Sequence, residues 1–334
     1  MKAAMKPAWI LAALGLAAVL VTAVAPFVGM EDVPLAALWG GGDAGEAAIL
    51  WKIRIPRVAM ALLAGAALAA SGLAFQAMFR NPLAEPFTLG VSSGASLGAA
   101  LAIRLGWESH ALVWVPAVCW AAFAGTLAAT LLIYGLTRMK RGFSVATMLL
   151  AGVAVSFFFS SLILLMQYLS DFTQTFRMLR WVMGGLDRVV GLDDVLTVLP
   201  FVVTGTLVVF YLTHELNLIT TGEDLAASRG VEVQRTKIVL FFGVSLMVGA
   251  VVSVCGPIGF VGLMAPHVGR LLVGSDHRVL TPATLLFGAA FLTVCDTLAR
   301  TVLGPAELPV GILTALLGGP FFLWLLLGQS DLEP

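Results

Sequence analysis

The sequence predicts an all-α polytopic membrane protein of about ten transmembrane helices. Three observations carry this. Hydrophobic residues make up 60% of the chain and charged residues 11%, whereas soluble domains carry about 25% charged residues. The mean hydropathy is +0.99. Apolar runs long enough to cross a hydrocarbon core of about 30 Å recur from the start of the chain to its end.

The first run covers residues 7–28. Lys2 and Lys6 ahead of it, and Ala23-Val24-Ala25 near its end, imitate a signal peptide. The run is too long for a signal core, and Pro26 would stand at the first mature position. An uncleaved anchor with a cytoplasmic N-terminus is therefore expected. Further runs cover 58–79, 88–103, 111–136, 143–169, 195–213, 238–255, 260–270, 279–301 and 308–327. Ten runs return the C-terminus to the cytoplasmic side, within a single transmembrane domain spanning 1–334. Basic residues are only slightly more frequent on that side, so the positive-inside tendency supports the orientation weakly. The stretches 238–255 and 260–270 are one charge-free segment divided at Gly256-Pro257. Proline lacks the backbone donor and clashes with the preceding turn, so a break is expected there. The segment 172–186 holds Arg177 and Arg180 and is too charged to span; a short helix at the outer surface is expected.

The longest polar stretch between runs is 214–237. Thr221 or Gly222 can cap a short helix whose first turn holds Glu223 and Asp224, which suits the helix dipole. Gly230 allows a left-handed stop, after which a second short helix is expected. Two short helices make a compact cytoplasmic knob, more than a plain connection needs. A solvated loop is the simpler alternative.

Several function classes are excluded or disfavoured. The net charge is zero, so nothing points to nucleic acid. No phosphate-binding G-x-x-x-x-G-K-[ST] motif occurs. Cys119, Cys255 and Cys295 sit in apolar runs as packing residues. His110, His214, His267 and His277 are scattered, with no catalytic or metal-ligand spacing. The chain is not expected to be an enzyme, nor to bind a cofactor or a metal of its own.

Six motifs carry a resemblance. Arg54-Ile55-Pro56-Arg57, Arg80-Asn81-Pro82-Leu83-Ala84-Glu85-Pro86 and Leu89-Gly90-Val91-Ser92-Ser93-Gly94-Ala95 resemble the FecCD-type permease family of ABC importers. So do Gly262-Leu263-Met264-Ala265-Pro266-His267, Asp276-His277-Arg278 and Pro305-Ala306-Glu307-Leu308-Pro309-Val310-Gly311. They follow the family order from about residue 50 to residue 328. The stretch 224–231 is similar to the family's ATPase-contacting loop.

The resemblance implies a type II ABC importer permease that carries a ferric siderophore, haem or cobalamin across the inner membrane by alternating access. It implies a second permease copy, in a homodimer or a permease pair. Two ATP-binding cassette subunits holding ATP and Mg, and a soluble substrate-binding protein, are implied as partners. It places ATPase coupling on Gly222, Asp224, Leu225, Ala226, Arg229 and Gly230. It places binding-protein docking on Arg54, Arg57 and Arg300, whose forked guanidinium suits a partner's carboxylates. The heads of Arg54 and Arg57 are expected at the outer interface, in the first turn of their helix. Pairing of Asp296 with Arg300 at i,i+4 is the structural alternative. Asn81 and Leu83 are candidates for a cytoplasmic gate. The second gate loop, 142–147, departs from the family pattern, with Val145 and Ala146 at its middle and Ser144 and Thr147 flanking.

An ion-coupled secondary transporter is the rival reading. Such proteins keep functional ionisable residues inside the membrane. Asp296 alone lies deep in a run, and Arg300 is near enough in sequence to neutralise it. A membrane scaffold without transport is a further rival. The substrate itself is not encoded in any motif that can be decoded.

Overall fold

A computed structural model describes residues 7–39, 43–107, 111–112, 115–139, 145–189, 191–304 and 306–329. Among these, seven helices are long and apolar enough to cross a membrane by length and composition. They are α1 (Pro7–Val24), α3 (Ile55–Phe79), α5 (Ala117–Met139), α6 (Val145–Tyr168), α8 (Leu192–Tyr211), α11 (Val233–Cys255) and α13 (His277–Ala299). Three further apolar runs form α4 (Val91–Arg104), α12 (Val261–Val273) and α14 (Val310–Gln329). Four short helices complete the set: α2 (Ala44–Ala48), α7 (Phe172–Val182), α9 (Thr213–Thr221) and α10 (Glu223–Ser228).

The core forms around α3 and α11, which are buried over most of their circumference. Both are rich in small residues, and in α3 these let neighbouring backbones approach. A Cβ on Gly65 would meet the Gly288 carbonyl oxygen at 2.3 Å, and one on Gly72 would meet that of Gly262 at 1.8 Å. These contacts seat α13 and α12 directly against α3. Helices α1, α5, α6 and α8 lie at the periphery and present Leu, Phe and Trp side chains outward.

Several boundaries differ from expectation. The run beginning at 111 does not start as helix. Ala111–Leu112 and Val115–Pro116 pair as a small antiparallel hairpin, and α5 begins only at Ala117. Pro116 has no N–H to continue a helix past its first turn. The segment 88–90 lies ahead of α4, which opens at Val91 after a 3-10 turn over Pro86–Leu89. The break at Gly256-Pro257 is present: α11 ends at Cys255, and both Gly256 and Phe260 take positive φ before α12 begins.

The membrane helix carrying Arg54 and Arg57 starts far earlier than its apolar run. Asp43 and Glu46 form a capping box at the start of α2, and a π-helical turn over Ile49–Arg54 joins α2 to α3 without a break. The two arginines therefore sit inside a continuous helix rather than in its first turn. The added length came from capping residues and a turn that contains Lys52, which the apolar run excludes.

Helix α7 is amphipathic and begins at Asp171, whose side chain accepts from the Gln174 N–H at 2.9 Å. The Met183-Gly184-Gly185 line after it is wedged against the α11–α12 break: the Gly185 N–H donates to the Cys255 carbonyl at 2.7 Å, and the Gly311 N–H to that of Gly184 at 3.2 Å. In the α7 region Arg180 pairs with Asp187 at 2.8 Å, and the Arg188 guanidinium stacks over the Trp181 ring.

Candidate functional site

Two clusters lie at opposite ends of the bundle. The first surrounds Arg57. Antiparallel packing of α3 on α13 sets its level: Gly65 meets Gly288, so Arg57, eight residues earlier, faces Asp296, eight residues later. The Arg57 Nε donates to both Asp296 oxygens at 3.0 Å, and Nη2 lies 2.9 Å from Oδ1. Its Nη1 reaches Glu307 Oε2 at 2.7 Å. Asp296 is 1% exposed, whereas the Glu307 side chain is 41% exposed. One guanidinium thus serves a buried carboxylate and an accessible one.

Arg54 and Arg300 flank this pair. Arg54 donates to the carbonyls of Pro26 at 3.2 Å and Glu31 at 2.5 Å. Arg300 donates to the Ala25 carbonyl at 2.5 Å and to Thr297 Oγ1 at 3.2 Å, while its Nε is buried with no partner. All three arginines line one open cavity of about 320 Å³, together with Glu31 and Glu307.

This corrects two expectations. The heads of Arg54 and Arg57, expected at the outer interface, are buried and engaged within the chain, as is that of Arg300; each of the three residues is 5–6% exposed. The neutralising partner of Asp296 is Arg57, not Arg300. The Arg300 side chain turns instead towards the Ala25 carbonyl, just past the end of α1. Sequence spacing could not reveal this, because Arg57 and Asp296 are 239 residues apart. Glu307 was visible only as part of a motif, without a partner.

The second cluster is built on α9, α10 and the turn after α3. Arg80 ends α3 in the left-handed region, with φ of 50°. The Asn81 N–H bonds the Gln76 carbonyl and the Arg80 N–H that of Ala77, which is the Schellman pattern with arginine in the place usually held by glycine. The Asn81 side chain accepts from the Leu83 N–H at 2.9 Å. That bond and Pro82 fix the turn, and Leu83 is left 58% exposed at its tip. Glu85, in the same loop, accepts from the backbone of Phe260 at the α11–α12 break. Thr147 is half-buried in the first turn of α6; Ser144 lies outside the described residues.

The knob differs from expectation in one respect. Its two short helices, α9 and α10, are joined at Gly222, with φ of 143°. Gly230, with φ of 88°, does not lead into another short helix but leads through a turn into α11 at Val233. The apolar run of α11 extends back through Lys237 because that side chain is buried, and its charge disguised the continuity. Within α10 only Ala226 is buried, while Asp224, Leu225 and Arg229 beyond its end are exposed.

Helix α9 is pinned to α13. The Asn217 amide donates to Asp276 at 2.7 Å and accepts from the His277 N–H at 2.9 Å. The Arg278 N–H and the Asn217 amide hold the Asp276 carboxyl below its ordinary range. Among the described residues, no group of three or more His, Cys, Asp or Glu is placed to hold a metal ion. The three cysteines are free, and Cys255 and Cys295 are buried.

Comparisons with known proteins agree with this arrangement. The hemin transport system permease protein of Yersinia pestis is 39% identical over 308 residues, 91% of each chain. The cobalamin import system permease protein of Halobacterium salinarum is 43% identical over 278 residues, 83% of this chain and 73% of its own length. A solved structure described as an inward-facing conformation of a metal-chelate type ABC transporter superposes with a TM-score of 0.84 at 30% identity, covering 96% of this chain and 99% of that one. The fold is thus that of an ABC importer permease. The FecCD transport family matches residues 10–328, and the chain belongs to that family.

Proposed function

We propose that the chain is the membrane permease of an ABC importer that carries a metal chelate across the inner membrane by alternating access. The hemin and cobalamin relatives favour a tetrapyrrole over a siderophore as cargo. The observation that carries the reading is α10: a six-residue helix, exposed but for buried Ala226 and half-buried Glu223, flanked by Gly222 and Gly230, at one end of a membrane bundle. It suits insertion into a cleft on a separate ATPase, with Asp224, Leu225, Ala226 and Arg229 as the contact residues. That end then faces the cytoplasm, together with both chain termini. ATP and Mg belong to the ATPase subunits, and this chain does no chemistry on them. Two permease copies, as a homodimer, enclose the path; the apolar side chains on the periphery face lipid or the second copy.

At the opposite, outer end the arginine cavity is the docking site for carboxylates of a soluble binding protein. Docking there is an exchange. A partner carboxylate entering the cavity takes Arg57 from Glu307 and meets the flanking Arg54 and Arg300. Asn81 and Leu83, at the tip of the turn after α3, are the gate residues on the cytoplasmic side, and Ser144 and Thr147 remain candidates from the 142–147 segment.

Co-expression with the ATPase subunits and purification in detergent test the assembly. The expected result is a stable complex with basal ATP hydrolysis. A permease that purifies alone and supports no hydrolysis would contradict it.

A further inference from the structure

Lys237 is the fifth residue of α11 and is 1% exposed. Lysines near the end of a membrane helix ordinarily turn their heads out to water. This one turns inward, and its Nζ lies 2.8 Å from Glu223 Oε2. The other oxygen of the same carboxylate faces Arg80 Nη2 at 3.9 Å. Glu223 opens α10, Lys237 belongs to α11, and Arg80 begins the turn that carries Asn81 and Leu83. Two consecutive helices and a turn far from them in sequence therefore meet on one carboxylate.

A buried ion pair seldom stabilises a fold more than apolar side chains of the same size; its best-attested use is to fix one element against another. Helix α10 needs such a tie. Only Ala226 packs it to the bundle. A Cβ at Gly230 would meet nothing within 4 Å, and Gly222 is almost as open. The helix hangs between two unobstructed glycine hinges. On one side α9 is held to α13 through Asn217. On the other, Glu223 is joined to two elements that lead into the membrane.

We propose that Glu223 is the transmission residue of this permease. Its short bond to the buried Lys237 makes the base of α10 and the start of α11 move together. Its longer, half-exposed contact with Arg80 tightens or parts as α10 shifts, and so sets the position of the 80–83 turn. The proposal rests on the reading of α10 as the ATPase contact.

The test uses the permease assembled with its ATPase in nanodiscs. A cysteine in place of Leu83 reports the turn by its rate of maleimide labelling, without nucleotide and after ATP–vanadate trapping. A cysteine in place of Leu225 reports contact with the ATPase by crosslinking. In the otherwise wild-type complex the Leu83 site should label several-fold differently in the two states. In the Glu223→Gln, Lys237→Met protein and in the Arg80→Gln protein that difference should vanish while the Leu225 crosslink persists. A difference that survives in both variants, or that is absent from the wild type, overturns the transmission role. Loss of the Leu225 crosslink in the wild type instead refutes the ATPase contact on which the role depends. Should the double variant fail to assemble, Arg80→Gln decides alone, since it leaves the buried pair in place.

Discussion

Removing Arg57 takes from Asp296 its hydrogen-bonded partner at a site that is 1% exposed, with Arg300 near but not bonded to it. An uncompensated buried charge costs about 3–5 kcal/mol, more than the pair itself contributes. Arg57→Ala should therefore lower the melting temperature in detergent sharply, while Arg57→Ala with Asp296→Ala should recover most of the loss. Equal melting temperatures for wild type and Arg57→Ala would show that the pair is not buried in the membrane-embedded protein. Glu307 makes the opposite case. It holds Arg57 at 2.7 Å from an accessible position. If a partner's carboxylate displaces it, Glu307→Gln should tighten binding-protein docking, most of all at low salt where charge attraction is least screened. Weaker docking by Glu307→Gln would mean that the glutamate helps the partner rather than standing in its way. Neither role was legible from sequence. Basic residues ahead of an apolar run signal an interfacial position, and only the pairing of α3 with α13 turns them inward.

Elements were legible to the extent that apolar length governs them. All ten apolar runs appear as helices, because a backbone in lipid satisfies its hydrogen bonds most simply that way. Boundaries failed where a local signal overrode the run. Pro116 delayed α5, the Asp43–Glu46 capping box advanced the start of the helix through Arg54, and buried Lys237 joined α11 to what resembled a polar loop. The helix between Gly222 and Gly230 was legible in the sequence, yet its companion was expected after Gly230, since the polar stretch from His214 does not show that a short helix, α9, precedes Gly222. Gly230→Val tests the second hinge cleanly. No neighbour obstructs the new side chain, so its cost is the left-handed backbone alone, on the order of 1–2 kcal/mol. The protein should fold and assemble, and ATP should be hydrolysed with much less transport. Wild-type uptake by this variant would remove Gly230 from the coupling path.

The whole molecule is a bundle with a basic cavity at one end and a loosely hung helix at the other, joined by the long buried helices α3 and α11. Helix α3 runs from one cluster to the other, carrying Arg57 and ending at Arg80, while α11 runs from the α10 end, where it carries Lys237, to the line after α7. That continuity is what an alternating-access mechanism needs, because a displacement at α10 reaches the far end through packed helices rather than through loops. It also separates this reading from an ion-coupled transporter. Among the described residues Asp296 is the one fully buried acidic group, and Arg57 engages both of its oxygens, which leaves it paired rather than free. The most direct measurement is uptake of haemin and of cyanocobalamin into proteoliposomes holding the permease, its ATPase and its binding protein. The account predicts uptake of one of them that requires ATP and the binding protein and is indifferent to proton and sodium ionophores. Uptake that proceeds without ATP and collapses with an ionophore would contradict it.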